Sequence, residues 1–170
     1  MQVMIRALSH HHEEEDNNMG DITVSTAEAE VLKRQHIKHE MLDYKFYLSK
    51  QEWLEEKIAR LDYKLSGAIS AAPLGGGVGS VSSIKDSWIT VALAEQEELM
   101  EEKKNYDKRV NDVESWLGML DEELYNIVHL YVIVNGCSNV EKCVDELGLS
   151  NSKKLLRAVE RALSIICEKI

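Results

Sequence analysis

From Thr26 onward, apolar residues recur at three-, four- and seven-residue steps through Val31, Ile37, Met41, Tyr44, Leu48, Leu54, Ile58, Leu61, Leu65 and Ile69. That spacing keeps returning to one side of an α-helix and predicts a single helix of roughly forty residues with one apolar stripe. Ser25 or Thr26 suits its N-cap, and Glu28 and Glu30 put negative charge in the first turn, where the helix dipole favours it. The opposite side interleaves Lys33, Arg34, Lys45, Lys50, Glu55, Glu56, Lys57, Arg60 and Lys64, the pattern of a solvated helix packed along one seam.

Residues 66–83 interrupt the pattern with Pro73, Gly75, Gly76, Gly77 and Gly79, which predicts a flexible connection. No Lys-Ser or Lys-Thr pair follows the last glycine, so this is not a phosphate-cradling loop. A second stripe then runs through Ile84, Trp88, Val91, Leu99, Tyr106, Val110, Val113, Leu117 and Leu120. Two amphipathic helices of similar length joined by a Gly-rich turn bury their stripes most simply against each other, as a long antiparallel, coiled-coil-like hairpin over residues 28–120. The same seam suits pairing between chains, so a homo-oligomer is expected as well. Trp53, Trp88 and Trp116 are the expected anchors of the hairpin or of its oligomer interface.

Composition narrows the class. One Pro, one Phe and 29% charged residues in 170 suit an all-α protein better than a sandwich or barrel with many turns. A net charge of -10 argues against a general polyanion-coating role. Cys137, Cys143 and Cys167 form an odd set without a C-x-x-C pair, as in a reduced cytoplasmic protein, with Cys143 and Cys167 expected as small core residues. No secretory signal is recognised at the start, and no apolar run approaches the roughly 20 residues of a membrane span. Residues 1–27, with His10, His11 and His12 followed by a run of acids, read as a disordered acidic tail. His36, His39 and Glu40 share one helical turn but lack a third ligand, so no metal and no cofactor are expected. Nothing in the chain suggests a catalytic constellation, and the protein is not read as an enzyme.

The grammar changes at Asp121, which suits an N-cap ahead of Glu122 and Glu123. A third helix through Leu124, Ile127, Val128, Tyr131 and Val132 should end near Asn135-Gly136. Ser138 or Asn139 then caps a short helix to Leu147, Gly148 supplies a tight turn, and Ser150 or Asn151 caps a last helix to about Glu168. This is the spacing of a helix-turn-helix domain over residues 121–170. Val140, Cys143, Val144 and Leu147 form one inner face, Leu149 plugs the turn, and Leu155, Leu156, Val159, Ala162, Leu163 and Ile166 form the other. Lys153, Lys154, Arg157 and Arg161 remain for the outer face.

The run Gly136-Cys137-Ser138-Asn139-Val140-Glu141-Lys142-Cys143-Val144-Asp145-Glu146-Leu147-Gly148-Leu149-Ser150, followed by Leu155 and Ala162-Leu163, resembles the helix-turn-helix of sigma factor region four. With the helix before it and the long hairpin upstream, the chain resembles phage late transcription regulators of the ArpU and RinA type. That resemblance implies a DNA-binding transcription regulator in the cytoplasm of a bacterial host, acting on double-stranded promoter DNA to activate packaging or lysis genes. It places Ser150, Asn151, Ser152, Lys153 and Lys154 at the start of the recognition helix, with Arg157 and Arg161 further along. Ser150 and Asn151 would cap that helix or meet a phosphate, Ser152 and Lys153 would face base edges, and Lys154, Arg157 and Arg161 would grip backbone or guanine.

Charge qualifies the expectation. Residues 121–170 hold six Lys plus Arg against eight Asp plus Glu, a net of -2, so about four usable cations should bind DNA weakly and lose affinity steeply with salt. The acidic residues 95–102 suit a solvated face or contact with a basic surface of RNA polymerase. Two alternatives stay open: a packaging adaptor resembling a small terminase subunit, and a protein-binding module without DNA affinity.

Overall fold

The structure is a computed structural model that describes residues 26–70 and 82–170. The predicted acidic tail up to residue 25 and the glycine-rich residues 71–81 lie outside the described residues, as do the side chains of Ile69 and Ile84. Every regular element among the described residues is helical. They are α1 (Thr26–Ser70), α2 (Ser82–Leu117), α3 (Glu122–Val128), a π-helical turn continuing α3 over His129–Val134, α4 (Val140–Glu146) and α5 (Ser152–Lys169). No helix among them is long and apolar enough to cross a membrane.

α1 and α2 pack side by side in opposite directions. Tyr44 donates to Glu114 at 3.0 Å, Gln51 to Asp107 at 2.6 Å, Lys103 pairs with Glu55 at 3.2 Å, and Gln96 donates to Asp62. As the α1 number rises by seven, four and seven, its α2 partner falls by the same steps, so one register holds along the pair. Ile37, Met41, Tyr47, Leu54 and Leu65 of α1 are buried, as are Ala92, Leu99, Val110, Val113, Trp116 and Leu117 of α2.

The observed stripe departs from the expected one in ways the helix period explains. Straight helices turn 3.6 residues at a time, so a three-four seam drifts around the axis. Val31 and Val91 consequently end up 53% and 63% exposed, while Tyr47 and Ala92 turn inward. Of the three tryptophans expected to anchor the hairpin, only Trp116 is buried. Trp53 is 41% exposed because its neighbour Leu54 takes the inward position, about 100° away around the helix. Trp88, 43% exposed, lies by register level with Ser70, the last residue of α1, and has little helix above it to pack on. α1 also runs to Ser70 rather than breaking at Ser66, since Gly67 is tolerated in a helix and Pro73 lies beyond it.

Among the described residues, one apolar cluster joins the start of α1 and the finish of α2 to the C-terminal helices. Ile37, Met41, Val113, Trp116 and Leu117 meet Leu124, Ile127, Val128, Tyr131, Val132 and Ile133, then Cys143, Leu155, Val159, Ala162, Leu163 and Ile166. Three lysines reinforce the joint by donating to carbonyls at chain turns and helix ends. Lys33 reaches Cys167 O at 2.9 Å, Lys45 reaches Val134 O at 3.3 Å, and Lys169 reaches Met119 O at 3.0 Å. Cations near the C-terminal ends of α5 and of the π-helical turn also complement their exposed carbonyl dipoles.

Candidate nucleic-acid interface

The C-terminal helices begin as their capping residues require. Asp121 holds an extended backbone, and its Oδ1 accepts from Leu124 N at 2.8 Å, satisfying one of the free amides of α3. Past Val128 the helix widens into a π turn, a departure from the regular third helix expected. Asn135 closes it: its side-chain amide donates to Leu130 O at 2.8 Å, and its backbone N–H donates to the same oxygen at 3.1 Å. Tyr131 is buried and its hydroxyl donates to Cys137 O at 3.1 Å, fixing the chain as it leaves the turn.

Between there and α4, Gly136, Cys137 and Asn139 all take left-handed backbone angles, with φ of 57°, 60° and 54°. Glycine adopts these freely and Asn tolerates them, whereas Cys137 is held there by its surroundings. Asn139 occupies the N-cap position of α4 but makes no side-chain cap bond, and Ser138 turns its hydroxyl back onto Asn135 O. Either residue was expected to cap α4 through its side chain; neither does, because the left-handed angle at Asn139 aims its side chain away from the first turn.

α4 ends in a tight turn at Gly148, whose φ is 63°, and Leu149 N donates to Val144 O at 2.9 Å to close it. Leu149 is half-buried against the core, as its role in plugging the turn requires. Asn151 then caps α5 from an extended backbone, its Oδ1 accepting from Lys154 N at 3.0 Å. Ser150 is exposed beside it and receives a long 3.5 Å bond from the Asn151 amide, so of the two expected caps Asn151 is the one in use.

α5 has two distinct sides. Leu155, Val159, Ala162, Leu163 and Ile166 are buried. Leu156, expected on the same side, is 47% exposed, since its position lies about 80° around the helix from the centre of the buried arc. At about 100° per residue, Lys153, Arg157, Arg161 and Lys154 fall within an arc of about 100° opposite the core. All four are exposed, and none forms an ion pair with a described residue. Ser152 is exposed at the first position of the helix. The seven residues expected at the interface thus lie on one continuous surface formed by the turn and the first three turns of α5.

One feature of this surface escaped the sequence reading. Lys154, Arg157 and Arg161 line one wall of a groove of about 380 Å³ whose other wall is the start of α3, with Asp121 and Glu123. Those carboxylates were legible only as capping and first-turn residues, because nothing in their spacing shows that α3 folds back beside α5. Cation and carboxylate walls face each other there, so a phosphate is attracted by one and repelled by the other. Lys153, on the far edge of the basic arc, does not line the groove.

Other candidate chemistry resolves into structure. His36 pairs with Glu40 at 4.0 Å and His39 with Asp43 at 3.4 Å, so the two imidazoles address different carboxylates, and Arg109 also takes Glu40 at 3.4 Å. No group of metal-ligating side chains occurs among the described residues. Burial raises the pKa of the Cys143 thiol, helped by Glu146, and burial likewise raises that of Cys137. Both thiols are therefore protonated near neutral pH and poor nucleophiles. Comparison with protein-family models, curated proteins and solved structures gives no match to this chain.

Proposed function

We propose that the chain is a phage or prophage DNA-binding transcription regulator in which α4, the Gly148 turn and α5 act as a helix-turn-helix on promoter DNA. α1 and α2 form the hairpin that serves oligomerisation or contact with RNA polymerase. The observation that carries this reading is the outer face of α5: four exposed cations without ion-pair partners among the described residues, on a helix whose inner face is fully committed to the core. A helix anchored in that way presents its side chains rigidly, which base readout in a major groove requires.

In this reading the residues of α5 divide the work. Ser152 and Lys153, at the exposed N-terminal end of α5, reach base edges, while Arg157 offers a bidentate fork to guanine or phosphate. Asn151 spends its carbonyl oxygen on the cap and keeps its amide for a phosphate or a base. Lys154 and Arg161 take backbone contacts on the groove side, where Asp121 and Glu123 keep a second phosphate strand from settling on α3.

With about four phosphates neutralised per copy, affinity should fall on the order of a hundredfold between about 50 and 200 mM salt. Sequencing host and phage genomic fragments retained by the purified protein at low and near-physiological salt tests the reading. Enrichment of one short site that survives the higher salt is expected. Loss of all DNA at that salt would contradict it and move the assignment to a protein-binding module, which the mixed-charge groove beside α5 also suits.

A further inference from the structure

Along α1, Phe46, Lys50, Trp53, Lys57, Arg60 and Lys64 follow one another at steps of four, three, four, three and four, which aligns them on one flank of the helix. The row carries no acid and spans about 27 Å at 1.5 Å per residue. Phe46 and Trp53 are 52% and 41% exposed. Lys50 lies 4.7 Å from the centre of the Trp53 ring and Lys57 lies 4.1 Å from it. On α2, Glu95, Glu98 and Glu102 form an acidic row with the same three-four step. Phe46 and Glu102 line the same long groove between the helices, so both rows border one face of the hairpin.

The register of the pair puts Arg60 level with Glu98, and puts Lys57 and Lys64 within one residue of the levels of Glu102 and Glu95. Within the chain, however, no ion pair among the described residues joins the rows. Lys50 and Lys57 lie on the Trp53 ring, and Arg60 holds Glu56 of its own helix at 3.1 Å. A chain of net charge -10 thus displays on one face a basic row with exposed aromatic rings and an acidic row, and among the described residues the two rows are not paired with each other.

We infer that two copies of this chain pack hairpin face to hairpin face, about a two-fold axis parallel to the helices, to form a four-helix bundle. Rotation about that axis sets α1 of each copy over α2 of the other at unchanged height. Lys57, Arg60 and Lys64 then meet the partner copy's acidic row level by level, and both Trp53 rings become covered. A two-fold axis across the helices would instead stack like rows on like rows, which repel. Nucleic acid is disfavoured on this face because the acidic row borders it. A footprint of about 27 Å by 20 Å on each copy totals about 1,100 Å², near the lower edge of about 1,200 Å² for specific interfaces. The axis also sends both C-terminal ends to the same end of the bundle. The inference does not depend on what α5 binds.

Sedimentation equilibrium of the full chain at micromolar concentration tests it, with far-UV circular dichroism as the check on folding. The dimer should weigh twice 19.3 kDa. Trp53→Ala should shift the mass toward 19.3 kDa with helicity retained. One variant carries Lys57→Glu, Arg60→Glu and Lys64→Glu; another carries Glu95→Lys, Glu98→Lys and Glu102→Lys. Each should be monomeric alone, and an equimolar mixture should restore the dimer mass. A monomeric parent chain, or charge variants that dimerise alone as well as the parent does, would overturn the inference. So would a monomeric parent whose DNA retention falls when the α1 row is reversed, since that row would then be a nucleic-acid contact.

Discussion

Asn139 and Asn151 occupy the same formal position, just ahead of a helix, and behave differently. Asn151 is extended and closes its cap, whereas Asn139 sits at φ 54° without one. Asn151→Ala should therefore lower stability by about 1 kcal/mol, the usual loss on removing a cap. Asn139→Gly should leave stability unchanged or raise it by up to about 1 kcal/mol, because glycine takes a left-handed angle without the side-chain penalty. Urea denaturation of both variants checks the pair, and equal losses would refute the distinction. Sequence alone made Asp121 readable as a cap, since it precedes an acid-rich first turn, and narrowed the α5 cap to Ser150 or Asn151, of which the structure uses Asn151. It left Asn139 ambiguous because asparagine favours both caps and left-handed turns, and only the path of the chain past the π turn decides between them. At the buried side of α5 the scale is larger: Ile166→Ala should cost about 2–5 kcal/mol, whereas Arg157, exposed and unpaired among the described residues, should tolerate truncation with little change in stability.

The elements themselves were largely written in periodicity: α1, α2, the short α4 and α5 all lie where apolar spacing and punctuation put them. The π turn was not legible, because it has no period of its own in six residues. Nor was the fate of Trp53 and Trp88, which depends on the phase of the seam and on where α1 ends. Between α1 and α2, pairing is pinned by a polar cluster around Asp107. Burial opposes ionisation of its carboxyl, but hydrogen bonds from Lys103 and Gln51, with the Lys103 charge, outweigh that and hold its pKa below the ordinary value. A depressed folded pKa means the cluster stabilises the fold above the ordinary carboxylate range and stops doing so as pH falls through the folded value. Tyr44 works at the other end. Burial, then the hydrogen bond to Glu114, raises its pKa from 10.0 to about 12, so its contribution is complete below pH 10.0 and lost as pH rises to about 12. Thermal melts across pH should show Asp107→Asn less stable at neutrality with a flatter acid limb, and Tyr44→Phe with a flatter alkaline limb. Limbs as steep as those of the parent chain would contradict these assignments.

Across the whole molecule, the boundary drawn at Asp121 hides a shared core. Ile37, Met41, Val113, Trp116 and Leu117 belong to the same cluster as the helices after Asp121, and Lys33 and Lys45 reach across the joint. Contacts between residues far apart in sequence leave no local pattern, which is why the two regions read as separable. A fragment of residues 121–170 should accordingly lack a cooperative thermal transition, while the full chain melts cooperatively; a fragment that melts as sharply as the parent would show the joint to be dispensable. The acidic wall of Asp121 and Glu123 beside α5 was hidden for the same reason, and under the proposed reading it would steer phosphate toward the basic arc of α5. The most direct test of that assignment compares DNA binding by the parent chain and by Arg157→Glu, on the site recovered from genomic fragments and at matched salt. Specific binding should disappear in the variant while its circular dichroism and melting stay those of the parent. A variant that binds the site as tightly as the parent would show that α5 does not read DNA through this face.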